Sequence, residues 1–200
     1  SIYILYAKIE FMQKYGELLR MLLKRRGIGN EKEAEIFLNP SFERDFHDPY
    51  DMHDMERSCV RIFEAIENKE KIIIYADYDC DGIPGAVILS DLFKKINYEN
   101  YEVYIPQRNS EGYGLNKEAI KQFKEKGVKL LITVDLGITA VEEVAQAEVD
   151  GIDVIITDHH LPQNILPRAY AILNPKVDSS MKGAKSYPEK MLCGAGVVFK

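Results

Sequence analysis

Three apolar runs in this chain each end on an acidic residue, and that repetition restricts the fold more than any other feature. Lys71-Ile-Ile-Ile-Tyr-Ala76 leads into Asp77-Tyr-Asp-Cys-Asp-Gly82, Lys129-Leu-Leu-Ile-Thr-Val134 into Asp135-Leu-Gly137, and Val154-Ile-Ile-Thr157 into Asp158-His-His160. Short continuous apolar runs between helix-like segments suit parallel strands buried on both faces. In open α/β sheets a site gathers at the carboxyl ends of such strands. The three acidic ends and the His pair are therefore expected to converge. Carboxylates and imidazoles crowded together repel or desolvate one another unless cations lie between them. The pattern predicts a metal site, and one suited to two ions.

The remaining pattern fits an α/β fold. A mostly parallel sheet flanked by helices is expected over residues 70–200, preceded by a helical N-terminal region over 1–69. Helical character starts near residue 11. Leu18, Leu19, Leu22 and Leu23 recur at helical spacing, and Gly27 supplies a stop. Asn30-Glu-Lys-Glu33 reads as a capping box for a helix to Leu38, ended by Asn39-Pro40. A helix from about Asp54 to Asn68 carries apolar Val60, Ile62, Phe63 and Ile66. Pro84 sits near the start of a helix to about Ile96. Val103–Ile105 reads as a strand, Asn116 as the cap of a helix ending at Gly127, and Thr139-Ala-Val-Glu142 as a capping box for a helix to about Ala147. Ala171-Ile-Leu173 reads as a strand stopped by Asn174-Pro175.

A formal charge of −6 argues against a generally basic nucleic-acid coat. It leaves room for a local basic groove, because bound divalent cations reverse the field at an acidic site. Cys59, Cys80 and Cys193 form no zinc-type spacing, which points to a reduced, cytoplasmic setting. No apolar stretch is long enough to span a bilayer. The opening Ser1–Ala7 segment lacks a basic lead and runs into Lys8 and Glu10, so a signal peptide is not expected. The apolar run Gly194–Phe199 suggests a fragment of a longer protein.

Asp77, Asp79 and Asp81 alternate, and an extended backbone would turn all three to one side. Gly82 permits a sharp turn, and the helix start behind it would offer amides to a phosphate. The D-x-D-x-D-G pattern also opens EF-hand loops, but the twelfth position here is Ile88 and a strand precedes the loop, which excludes that reading. Cys80 is expected to pack facing away from the carboxylates. Asp135 suits a bridge, since one carboxylate between two cations holds them roughly 4 Å apart. Neutral imidazoles at His159 and His160 suit manganese, iron or zinc. Arg108-Asn-Ser-Glu-Gly-Tyr-Gly114 is a flexible loop ahead of a helix, with Arg108 for charge and Tyr113 for stacking on a nucleobase. His47 and His53 lie in a polar loop and read as surface residues, and Lys24-Arg-Arg26 reads as a solvated helix end.

Together, Asp77–Gly82, Val134–Gly137 and Thr157–His160 resemble the first three motifs of the DHH phosphoesterase superfamily. Arg25-Arg-Gly27, Phe37-Leu-Asn-Pro40, Gly112-Tyr-Gly114, Asn174-Pro-Lys176 and Cys193–Phe199 resemble, in the same order, segments of its RecJ family of single-strand-specific 5′→3′ DNA exonucleases. The resemblance covers most of the chain. It implies a phosphodiesterase with two Mn2+ or Mg2+ ions, which activate water for in-line attack and stabilise the leaving oxygen. By resemblance Asp79, Asp81, Asp135 and His159 are ligands, while Asp77 and His160 are ligands or close partners. The implied catalytic set is Asp79, Asp81, Asp135, His159 and His160, with Arg108, Tyr113 and His160 touching substrate. The substrate would be single-stranded DNA, degraded to mononucleotides during repair and recombination. A helicase or a single-strand-binding protein would be a partner, and no membrane is involved. Tyr75 stands where many members carry a histidine, and Asp77 is the candidate replacement. The fourth motif and a second domain are expected beyond Lys200. Two rivals stand beside this reading. One is a DHH enzyme for oligoribonucleotides, cyclic dinucleotides or pyrophosphate, disfavoured by the Gly-Tyr-Gly loop and the helical start. The other is a scaffold that has lost catalysis, disfavoured by the full set of acids and histidines.

Overall fold

In a computed structural model the structure describes residues 14–177 and 186–200. The expectations about a helix from residue 11 and about the opening segment fall on residues outside that set. Two compact units are present, one running to His47 and one from Asp48 to Lys200.

The first unit is helical: α1 (Glu17–Arg25), α2 (Glu31–Leu38) and α3 (Phe42–Asp45). Gly27, at φ 78°, follows the end of α1 as expected. Asn30 caps α2 by accepting from the Glu33 amide at 2.9 Å, whereas the Glu33 carboxylate accepts from Gly29 rather than Asn30. The leucine stripe is only partly used. Leu23 packs with Ala34 in the small core, while Leu18 and Leu22 stay exposed.

The second unit comprises α4 (Met55–Glu67), β1 (Lys71–Ala76), α5 (Gly82–Lys95), β2 (Tyr101–Tyr104), α6 (Lys117–Glu125), β3 (Val128–Val134), α7 (Val141–Val149), β4 (Asp153–Thr157), β5 (Ala171–Leu173) and α8 (Gly194–Phe199). The five strands are parallel, in the order β2-β1-β3-β4-β5. β1 and β3 are neighbours from which the chain winds in opposite directions, so a crevice opens at their carboxyl ends. Alternate strand residues supply two cores. Ile73, Tyr75, Leu131 and Ile156 pack with Ile120 and Phe123 of α6 and Val144 of α7. Ile72, Ile74, Ile132 and Ile155 pack with Ala65 of α4 and Leu89 and Phe93 of α5. Each large side chain so buried contributes roughly 1.5–3 kcal/mol, enough to fix which residue ends each strand. Among the described residues no helix is long and apolar enough to cross a membrane.

Several local expectations change. The buried face of α4 is Met55, Ser58, Arg61 and Ala65, while Val60 and Phe63 are exposed. Ile62 and Ile66 do pack against the core beside it, but the apolar residues alone did not reveal the face because a charged residue holds its centre: Arg61 donates to Asp153 and Glu70, each at 2.6 Å. α4, placed by sequence ahead of the sheet domain, packs within the second unit, and Asp54 just before it accepts from the Ile172 amide of β5 at 3.0 Å. Thr139 does not cap α7, which starts at Val141 after a tight turn, and Glu142 pairs with Lys117 at 2.6 Å instead. Asn116 does cap α6, accepting from Ala119 at 2.7 Å. The strand expected at Val103–Ile105 begins and ends earlier, at Tyr101–Tyr104.

Candidate active site

Strand register sets the three motifs side by side. Ala76 pairs with Val134, and Val134 with Thr157. The ladder continues one residue further: Asp77 donates to the Val134 carbonyl at 3.1 Å, Asp135 to Thr157 at 2.9 Å, and Asp158 to Leu173 at 3.0 Å. The three aspartates thus stand in one row across the sheet, where the chain leaves the pleat.

After Asp77 the backbone turns rather than staying extended, so the expected alternation fails. Asp79 Oδ1 accepts from the Asp81 and Gly82 amides at 3.1 and 3.0 Å, closing the turn that leads into α5 and occupying amides that were expected to meet a phosphate. Gly82 is required at this bend, because a Cβ there would lie 2.5 Å from the Asp77 carbonyl oxygen. The turn, not the pleat, brings the acids together. Cys80 is exposed within it instead of packed. His53 pairs with its neighbour Asp54 at 3.2 Å and takes no part in the cluster.

Asp135 is the centre of the cluster. It is 0% exposed, adopts φ 64°, and neither carboxylate oxygen has a hydrogen-bond partner. Burial, then the charges of Asp81 and Asp79, pushes its pKa up to about 8. Burial also raises Asp77, while the backbone amide of Gly82, foremost, lowers Asp79. Ligand atoms lying within 4.8 Å of one another form two groups that share Asp135: Asp77, Asp79 and Asp135, and Asp135, His159 and His160.

The histidines are oriented from behind. His159 Nδ1 lies 3.0 Å from the Leu192 carbonyl, which can only accept, so the proton is on Nδ1. The Nε2 lone pair then faces Asp135 Oδ1 at 3.2 Å and Asp81 Oδ2 at 3.5 Å. Acceptors pointed at one another this closely are unfavourable unless a proton or cation lies among them. A cation with bonds near 2.1 Å sets adjacent ligand atoms about 3 Å apart. The orphaned oxygens and this acceptor cage therefore fit a divalent ion.

Asp158, expected here as a strand-end acid but given no role of its own from sequence, is 1% exposed and accepts from His160 Nδ1 at 2.7 Å and from the amides of His159, His160 and Ile138. Asn174 Nδ2 donates to the His160 carbonyl at 3.0 Å and Lys176 Nζ to that of His159. Only the acid at a strand end and the Asn174-Pro-Lys176 run signalled these roles, and the contacts themselves run largely through the backbone. His160 Nε2 lies 3.5 Å from the Tyr113 hydroxyl. The Tyr113 ring is exposed, while desolvation of its hydroxyl and the nearby Asp77 charge raise the phenol pKa. Arg108 is exposed, with its guanidinium 5.5 Å from the Tyr78 ring centre rather than against a carboxylate. Tyr75 offers no ligand: it is buried and donates to the Gly114 carbonyl at 2.9 Å, tethering the Gly112-Tyr-Gly114 loop.

The fold and this cluster define a DHH-type protein. The chain belongs to the DHH family, whose N-terminal domain matches residues 71–200. It is 43% identical over 183 residues to the single-stranded-DNA-specific exonuclease RecJ of Bacillus subtilis (strain 168), a match covering 92% of this chain and 22% of that protein. The structure is similar to that of exonuclease RecJ bound to manganese, with TM-score 0.63 and 30% identity, covering 74% of this chain and 36% of that one. It is also similar to RecJ in complex with Mn2+ from Thermus thermophilus, with TM-score 0.65 and 25% identity, covering 88% and 23%. The chain thus spans about a quarter of the length of the curated relatives it matches.

Proposed function

We propose that this chain carries the catalytic centre of a RecJ-type phosphodiesterase that removes nucleotides from the 5′ end of single-stranded DNA. Mn2+ or Mg2+ is the cofactor, the setting is the cytoplasm, and the context is repair and recombination. Proteins that unwind or coat single strands fit such a substrate as partners. One observation carries the reading: a fully buried carboxylate, Asp135, without hydrogen-bond partners and shared by two groups of ligand atoms. Asp77, Asp79, Asp81, Asp135 and His159 would hold the ions, with Asp77 serving in place of the absent histidine at Tyr75. Bound divalent ions supply Lewis acidity, which activates water and neutralises charge on the leaving oxygen.

The protein's own contribution is orientation. Backbone amides fix Asp79, and the Leu192 carbonyl keeps the His159 lone pair turned inward. Asp158 orients His160, whose Nε2 lies 3.5 Å from the Tyr113 hydroxyl and would share the substrate side of the cluster with it. The exposed Tyr113 ring offers a face for an unpaired base, and Arg108 offers charge to the backbone. Stacking of this kind favours single strands, because a duplex keeps its bases against one another.

The test is incubation of protein carrying this chain with Mn2+ and 5′-phosphorylated single-stranded DNA, duplex DNA, short RNA or cyclic dinucleotide. Mononucleotides released first from the single strand, and none in EDTA, are expected. Faster cleavage of RNA or cyclic dinucleotide would assign another DHH substrate class. Absence of Mn2+ binding by calorimetry would favour a scaffold.

A further inference from the structure

The tripeptide Leu192-Cys193-Gly194 touches three ligand side chains, although Gly194 follows Asp81 by 113 residues. The Gly194 amide donates to Asp81 Oδ2 at 2.7 Å. The Leu192 carbonyl accepts from His159 Nδ1 at 3.0 Å. At Gly194 a Cβ would lie 2.5 Å from Asp135 Oδ1 and 2.6 Å from the Asp135 Cβ and Cγ. Glycine is thus the residue that lets this backbone press against the central carboxylate while its amide holds a second one. Cys193 between them is exposed.

We propose that Gly194 is a positioning residue of the metal centre: its amide fixes Asp81, and its missing side chain leaves the space that Asp135 occupies. The proposal rests on the metal-dependent reading above. Without the amide bond, Asp81 would swing among rotamers and meet an ion only part of the time. With a methyl group at 194, Asp135 or the 192–194 backbone must move, and the Leu192 carbonyl that sets the His159 tautomer moves with it. Groups that orient ligands in this way typically account for about 10–100-fold in metal affinity.

Mn2+ titrations followed by electron paramagnetic resonance and calorimetry test this on the wild type, Gly194→Ala and Cys193→Ala. The expected result is about 10–100-fold weaker Mn2+ binding by Gly194→Ala, loss of the spin-coupled signal of paired ions, and wild-type behaviour of Cys193→Ala. Circular dichroism in EDTA verifies that the variant is folded. Equal affinity and an unchanged signal in folded Gly194→Ala overturn the positioning role while leaving the phosphodiesterase reading standing. No Mn2+ binding by the wild type overturns both. Should Gly194→Ala not fold, the wild type decides: the 15N-labelled Gly194 amide is expected to exchange slowly and to shift as Mg2+ is added. A fast-exchanging amide unmoved by Mg2+ overturns the proposal.

Discussion

At the amino end of the sheet, Arg61 donates to Asp153 and Glu70 at 2.6 Å each, and Glu102 receives Lys71 at 2.6 Å and Lys126 at 2.9 Å. At the carboxyl end of the same strands, Asp77, Asp79, Asp81 and Asp135 stand together, and no lysine or arginine is paired with any of them among the described residues. Both ends bury or half-bury carboxylates. One end supplies the counter-charge from within the chain, and the other leaves it to come from outside. A buried charge left uncompensated is costly, so the asymmetry separates a structural use of charge from a functional one.

The sharpest break of the comparison is Asp135→Asn. Asparagine tolerates the left-handed backbone at 135, whereas alanine there adds about 1 kcal/mol of strain. Asp135→Asn should lower single-strand cleavage by roughly 10³-fold, the equivalent of about 4 kcal/mol in the barrier, while circular dichroism stays unchanged. Near wild-type rates would sink the bridging role. At the opposite end, Arg61→Met should destabilise the fold by roughly 3 kcal/mol in urea, because two carboxylates lose their partner. Mn2+ affinity should not change; a parallel loss of affinity would show that the two ends are not separable.

The signs of pH dependence also differ between the ends. The folded pKa of Asp135, about 8, lies above its unfolded value near 3.9, so the native state binds more protons between them. Metal-free stability should therefore fall as pH rises from about 4 to about 8, by up to about 1.4 kcal/mol per pH unit. Saturating Mn2+ should flatten that slope, as thermal melts across the range would reveal. Glu102 has the opposite sign: hydrogen bonds from Lys71 and Lys126 lower its pKa, and its contribution is lost as pH falls. The smallest effect is expected from Tyr75→Phe, about 1–2 kcal/mol from the two hydrogen bonds its hydroxyl makes, to the Gly114 carbonyl and from Asn116 Nδ2. It should weaken single-strand binding with little change in turnover, since it frees the Tyr113 loop without touching a ligand.

The strand ends are legible in the sequence because buried parallel strands need no polar alternation, so each apolar run stops visibly where the acid begins. That pattern assigns Asp77, Asp79, Asp81, Asp135, Asp158 and the His159-His160 pair to one place, and the structure brings them together. The path between them is not legible: alternation suggests an extended backbone where Asp79 instead closes a turn ahead of α5. Asp158 is placed at the site as a strand-end acid, but its role stays hidden because its partners are three amides and a neighbouring imidazole, which leave no periodic trace. The same holds for Leu192 and Gly194, whose contacts use backbone atoms that every residue possesses. Arg61 is invisible for a related reason, since one charged residue at the centre of a helix face breaks the apolar stripe that would announce the face.

The contribution of residues 192–194 also orders events in time. A nascent chain leaving the ribosome carries all three acidic strand ends well before the segment that braces Asp81 and His159 has been synthesised. On the proposed role of Gly194, the acidic strand ends would stay unbraced in the nascent chain until that segment had docked.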